Sequence, residues 1–162
     1  MTLLESNIDD LDPRVWPTVL MALLDAGAAD AWITPILMKR GRPAHTISVL
    51  AHEVHVTQVR DVVLETTSTI GIRETTVQRW AMPRGWVESD VDGQFVRIKV
   101  AHRGGRVVHA MPEFRDVEAA AMVLGRPVRD VLDAALAAAH RLGLVAGAPV
   151  PVLEPDYRTQ PS

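Results

Sequence analysis

The sequence predicts an α+β fold, a ferredoxin-like β-α-β-β-α-β unit followed by β-hairpin strands and two C-terminal helices. Three observations carry this. Between Thr2 and Met82 the apolar spacing runs strand, helix, strand, strand, helix, strand, the order of a split β-α-β unit. Pro35 lies inside the second strand, and a proline that cannot donate to a ladder belongs at a sheet edge, where this unit places its second strand. Beyond Arg84 a turn at Val91-Asp92-Gly93 joins two alternating runs, and two helical stripes follow.

Taken in order, Thr2 to Ile8 reads as a short strand. Asp12-Pro13 supplies a cap and a first-turn proline for a helix whose Trp16, Val19, Leu20, Leu23 and Leu24 recur at three-to-four spacing, and Gly27 gives the left-handed stop. Pro17 forfeits a backbone hydrogen bond, so the first turn is expected to be irregular. Trp32 to Met38 and Thr46 to Ala51 are the second and third strands. A helix over about 53–67 carries Val56, Val59, Val62 and Val63 on one side, Ser68 to Gly71 turns the chain, and Ile72 to Met82 reads as a long strand ended by Pro83. Trp86 to Ser89 and Phe95 to Ala101 form the hairpin, with a further short strand through Val107 and Val108 after Gly104-Gly105. Phe114, Val117, Ala121 and Leu124 mark one helix; Val128, Val131, Leu132, Ala135, Leu136 and Ala139 mark the next, begun by Pro127 and ended by Gly143. The expected organisation is a ferredoxin-like portion at 1-83, a hairpin and helical portion of the same compact unit at 84-147, and an extended tail at 148-162.

Composition limits the function. With 162 residues, 48% hydrophobic and 23% charged, the chain suits one globular domain with a substantial core. A net charge of -3 gives no global basic field for nucleic acid, so phosphate binding must come from local clusters. No apolar run approaches the roughly 20 residues that span a bilayer, and residues 1 to 15 lack a secretory plan, so a cytoplasmic protein without a membrane partner is expected. Zero cysteines exclude disulfides and thiolate ligands.

Four constellations could carry chemistry. Lys39, Arg40 and Arg42 flank Gly41 in a loop between two strands, where cations and amide groups can surround an anion, although an ordinary solvated turn explains them too. Glu5, Asp9 and Asp10 gather acids that suit a hydrated divalent ion; strand alternation puts Glu5 and Asp9 on one side and Asp10 on the other. Glu65-Thr66-Thr67-Ser68-Thr69 is a hydroxyl-rich helix exit leading to Arg73, suited to phosphate or ribose or simply to the terminal carbonyls, and Arg73 and Arg79 share a strand face. Glu113 and Asp116 stand at a helix start, where capping competes with metal binding. The six histidines form no ligand motif.

Glu5-Ser6-Asn7-Ile8-Asp9-Asp10, Thr34 to Pro43, Glu65 to Arg73, Arg79-Trp80 with Pro83-Arg84, and Pro112-Glu113-Phe114 occur in this order, and together they resemble the C-terminal half of the LarC family over about residues 3 to 140. Members of that family insert nickel into the pyridinium bis-thiocarboxylic acid mononucleotide cofactor of lactate racemase. The resemblance implies a CTP-dependent metal-inserting lyase, or cyclometallase, in which CTP with Mn or Mg binds this portion and nickel is the substrate metal. It implies homo-oligomers, a small-molecule nucleotide cofactor precursor as partner, and dependence on the family's N-terminal portion, which has no counterpart in this sequence. Carried onto the matching blocks, Lys39, Arg40 and Arg42 would meet the triphosphate with Thr66, Thr67 and Arg73 nearby, while Asp9, Asp10, Glu113 or Asp116 would orient the divalent ion. Arg115 departs from the acid that relatives tend to carry after the Pro-Glu-aromatic triplet. The alternative is a non-enzymatic ferredoxin-like oligomerisation module binding a small anionic regulator. RNA binding by an open sheet face fares worse, with 4% aromatic residues and negative net charge.

Overall fold

The computed structural model describes residues 1–155 and divides the chain into two compact units, Met1–Trp80 and Ala81–Ser162. The first holds β1 (Thr2–Ile8), α1 (Trp16–Asp25), β2 (Ala28–Met38), β3 (Arg42–Ala51), α2 (Val56–Thr66) and β4 (Arg73–Thr76). Its sheet runs β2-β3-β1-β4 with every neighbouring pair antiparallel, which is the ferredoxin-like arrangement, and β2 takes the edge that Pro35 requires. Alternation sends Leu4 and Ile8 of β1 and Ile47 and Val49 of β3 to one side. There they pack with Trp16, Val19 and Leu23 of α1 and Val56, Val59 and Val63 of α2, each large side chain contributing about 1.5–3 kcal/mol by leaving water.

Local chemistry explains the helix entry. The Asp12 carboxylate accepts the Arg14 N–H at 2.9 Å, Pro13–Val15 form a 3₁₀ turn, and α1 starts at Trp16 with Pro17 in its first turn. This is the irregular entry that Pro17 demands. Two expectations are corrected. The second and third strands are longer than predicted, pairing out to Leu37–Pro43 and Met38–Arg42, so the basic loop between them is a tight hairpin turn at Lys39–Gly41. The fourth strand is far shorter, because a strand exists only where a neighbour supplies its bonds. Pairing with β1 stops at Thr2–Thr76, with a last backbone bond from Val77 to the Met1 carbonyl at 2.9 Å. Arg79 therefore lies outside the strand, and it shares no sheet face with Arg73.

The second unit holds β5 (Arg84–Val91), β6 (Gln94–Arg103), β7 (Arg106–Pro112), α3 (Phe114–Leu124), α4 (Val128–Arg141) and β8 (Glu154–Pro155), with sheet order β7-β6-β5-β8. Asp92 and Gly93 both take positive φ, 53° and 84°, as a two-residue hairpin turn requires. Val96 packs against Val117, Ala121, Val131 and Ala135, while Ile98, Val100 and Val107 pack with Ala139 and Leu144. Part of the expected tail is extended, Val150 N–H donating to the Gly105 carbonyl at 3.0 Å and β8 pairing β5; the remainder, 156–162, lies outside the described residues. Among the described residues no helix is long and apolar enough to cross a membrane.

Two pairs lock the start of α3 onto β6. Arg97 reaches both oxygens of Asp116, Nε to Oδ2 at 2.7 Å and Nη2 to Oδ1 at 2.9 Å, and its backbone N–H adds a bond at 3.1 Å. Glu113 Oε1 accepts the Trp86 indole N–H at 2.9 Å and the Lys99 ammonium at 2.5 Å. The Arg97 guanidinium holds the Asp116 carboxyl below its ordinary value against partial burial. Burial pushes the Glu113 carboxyl up, but the Lys99 and Trp86 bonds outweigh it and leave it below the ordinary glutamate value.

Asp116→Asn is expected to destabilise the second unit by about 1 kcal/mol, read by urea unfolding at neutral pH. Because the folded Asp116 carboxyl binds its proton more weakly than the unfolded one, its contribution is complete above the unfolded value of about 3.9 and is lost as pH falls through the lower folded value. The deficit of the variant should therefore shrink on acidification below that value. Gly27, just past α1, has φ +93° and a Cβ there would sit 2.8 Å from His55 Cγ, so Gly27→Ala should cost at least about 1 kcal/mol and lower the melting temperature.

Candidate functional site

The sequence-distant charges meet at one end of the first sheet. The β2–β3 ribbon continues past Ile8, whose partner is His45, so Ile36 to Ala44 project beyond the end of β1 with Lys39–Gly41 at the tip. Arg40 and Gly41 take φ 64° and 70°. Left-handed backbone costs a residue with a Cβ about 1–2 kcal/mol, and outliers of this kind concentrate at ligand-binding turns. Lys39, Arg40 and Arg42 are all exposed, and among the described residues Lys39 and Arg40 have no hydrogen bond or ion pair. Two uncommitted cations on a tight turn can grip an oxyanion.

Behind the tip, β1 and β3 carry a polar ladder on the face away from the helices. Arg42 Nη1 donates to Asp9 Oδ2 at 3.1 Å, Thr46 Oγ1 to Asn7 Oδ1 at 2.9 Å, and Ser48 Oγ to Glu5 Oε1 at 3.1 Å. From β4, Arg73 Nη2 also donates to Asn7 Oδ1, at 3.0 Å. The period of two fixes this order, as the shared parity of Glu5 and Asp9 predicts. Asp10 has a different partner, accepting from Ser68 after α2. The same loop is tied to β1 through Ser6, whose Oγ lies 2.5 Å from Thr69 Oγ1 and donates to the Gly71 carbonyl at 2.9 Å.

These contacts sort the predicted site residues. Thr66 and Thr67 donate to the Val62 and Val63 carbonyls at 2.6 and 2.7 Å, so the hydroxyls close the end of α2 rather than face a ligand. Register puts Arg73 level with Glu5, several residues from the hairpin tip. Asp116 has both oxygens filled by Arg97, and Glu113 holds Lys99 and Trp86; neither caps α3 through its side chain, and Asp116 is unsuited to a metal without losing that pair. Among the described residues no group of three or more His, Asp or Glu side chains converges to hold a metal ion. Asp9 and Asp10 each keep one oxygen without a hydrogen bond, which fits a divalent cation that draws its other ligands from phosphate and water.

Sequence reasoning missed Asn7, Thr46, Ser48 and Trp32 as members of one surface, although the i, i+2, i+4 spacing of Glu5, Asn7 and Asp9 was a signal for it. No signal in the sequence links Arg97 and Lys99 to Asp116 and Glu113.

The family model for "Nickel insertion protein" matches residues 1–132. The chain is 56% identical over 135 residues to the pyridinium-3,5-bisthiocarboxylic acid mononucleotide nickel insertion protein of Nocardioides sp., covering 83% of this chain and 34% of that protein. It is 42% identical over 134 residues to a putative nickel insertion protein of Myxococcus xanthus, with the same coverages of 83% and 34%. It thus spans about a third of the length of these curated relatives. Among solved structures it is similar to the apo form of LarC2, the C-terminal domain of a cyclometallase involved in the synthesis of the NPN cofactor of lactate racemase. The TM-score is 0.73 at 34% identity, over 86% of this chain and 96% of that one. Matched in fold to that domain and in sequence over most of its length to these relatives, the chain belongs to the nickel insertion protein family.

Proposed function

We propose that this chain is the C-terminal, nucleotide-binding portion of a protein that inserts nickel into the pyridinium-3,5-bisthiocarboxylic acid mononucleotide cofactor of lactate racemase, in a CTP-dependent reaction that also needs the N-terminal portion its curated relatives carry. The observation that supports it is the hairpin tip, where Lys39 and Arg40 stand unpaired next to the Arg42–Asp9 pair, within the stretch shared with nickel insertion relatives. Lys39 and Arg40 would bind the outer phosphates as cationic donors. The free oxygens of Asp9 and Asp10 would hold waters of a Mn or Mg ion, which offsets the phosphate charge when bound. Nickel is substrate here, and a sequence without cysteine leaves its soft ligands to the organic cofactor. The assembly is a cytoplasmic homo-oligomer in this reading.

A second reading, a non-enzymatic module for a small anionic regulator, draws support from the partners that Asp9 and Asp10 already have within the chain.

Calorimetry with manganese should show CTP bound in preference to ATP, with Lys39→Ala and Arg40→Ala each weakening it about tenfold or more. Equal affinity for ATP, or no binding, overturns the CTP reading. An Asp9→Asn variant that melts earlier yet binds CTP as tightly, with or without manganese, would favour the second reading.

A further inference from the structure

From Gln94 to Pro112 the chain carries Arg97, Lys99, Arg103 and Arg106 and no Asp or Glu. Asp116 and Glu113 answer Arg97 and Lys99 from the start of α3, while the other two arginines stand at the β6–β7 turn. Register sets Arg103 directly opposite Arg106, a like-charge cross-strand pair that by itself costs stability. Gly104 and Gly105, with φ 56° and 73°, close the turn between them. Arg106 Nη1 donates to the Gly147 carbonyl at 2.8 Å, whereas Arg103 and the His102 imidazole have no hydrogen bond or ion pair among the described residues. A cleft of about 320 Å³ adjoins this turn, lined by Ala81, Met82, Pro83, Arg84 and His102. Its position follows from one backbone bond. The Pro83 carbonyl accepts the His102 N–H at 3.0 Å, which holds the segment before β5 against β6. At the same place β6 and β7 shift register between Ala101 and His102, with Val108 the extra residue, and such a bulge twists the hairpin end locally.

Two basic residues, three apolar ones and, among the described residues, no acid line this cleft. That combination suits a ligand with an anionic group on an apolar body. Met82 brings a thioether, which makes favourable contacts with aromatic rings, and Pro83 adds apolar wall. His102 and the following Arg103 supply donors for an oxyanion. The volume lies at the low end of ligand pockets, roughly 300–1,000 Å³, so it admits a single ring with its acid group. We propose that the cleft and the β6–β7 turn form a second anion site that binds a small aromatic acid, its ring against Met82 and Pro83 and its acid group at His102 and Arg103. An anion held there also offsets the repulsion between Arg103 and Arg106. The site lies wholly within the second unit, apart from the Lys39–Gly41 turn of the first, so it goes beyond the nucleotide reading and does not rest on it.

The experiment is calorimetry of the full 162-residue chain with pyridine-3,5-dicarboxylate as the ring acid and inorganic phosphate as the bare anion. The wild type should bind the ring acid about tenfold or more tightly than phosphate. His102→Ala and Arg103→Ala should each weaken the ring acid about tenfold. Met82→Ala should weaken the ring acid severalfold and leave phosphate unchanged, because only the ring meets the thioether. Arg129→Ala removes the same charge from an exposed position on α4 and should bind as the wild type does. Circular dichroism melts establish that the variants are folded, and backbone amide shifts on adding the ring acid should cluster at residues 81–84 and 102–106. Absence of binding, equal affinity for phosphate, wild-type affinity in His102→Ala and Arg103→Ala, or shifts confined to residues 38–42 overturns the site. CTP affinity is measured separately, so failure of this site leaves the nucleotide reading standing, and failure of CTP to bind leaves this site standing.

Discussion

The pairing of β1 between β3 and β4 is the constraint on which the first unit depends. Once this strand is held on both sides, its period of two sorts every residue. Leu4 and Ile8 enter the core beneath α1 and α2, while Glu5, Asn7 and Asp9 line the opposite face. A slip of one residue would exchange these sets and bury two carboxylates among valines, at a cost far above the marginal stability of a small domain. Core and site are therefore specified by one register, and the polar face is as firmly placed as the apolar one.

Part of the charge in this chain is committed to local pairs. Arg97 with Asp116, Lys99 with Glu113 and Arg60 with Glu74 join elements within each unit, and their carboxyls all lie below ordinary values. Such partly exposed pairs add modest stability. Lys39 and Arg40 on a strained turn, and the Glu5 carboxylate facing an arginine that bonds elsewhere, are sites where the fold has left electrostatic capacity unused.

Much of the fold was legible because local signals agreed. Asp12-Pro13 and Gly27 bracket a helix, Asp92-Gly93 has the residues that a tight hairpin turn needs, and Pro35 marks an edge. Ile72 to Met82 misled because β-branched content records what a strand tolerates, while a strand's length is set by its neighbour; here β1 supplies pairing only as far as Val77. The candidate site was legible in part. The basic turn and the acid run were visible as clusters, yet their separate assignments changed. Thr66 and Thr67 serve helix carbonyls, and Asp116 serves Arg97, since a hydroxyl or carboxylate near a helix end bonds whichever group the packing brings within reach.

The sequence by itself determined the order of elements, the edge position of β2, the opposite parity of Asp9 and Asp10, and the resemblance to the nickel insertion family, because each follows from periodicity, proline chemistry or the linear order of motifs. Tertiary structure alone decided that Arg42 meets Asp9, that Arg73 turns to Asn7 and leaves Glu5 open, and that Trp32 shares a row with both. Those outcomes depend on which residues stand opposite one another across strands far apart in the chain. Register, set by the burial of Leu4, Ile8, Ile47 and Val49, is a property of the assembled sheet and of no single segment.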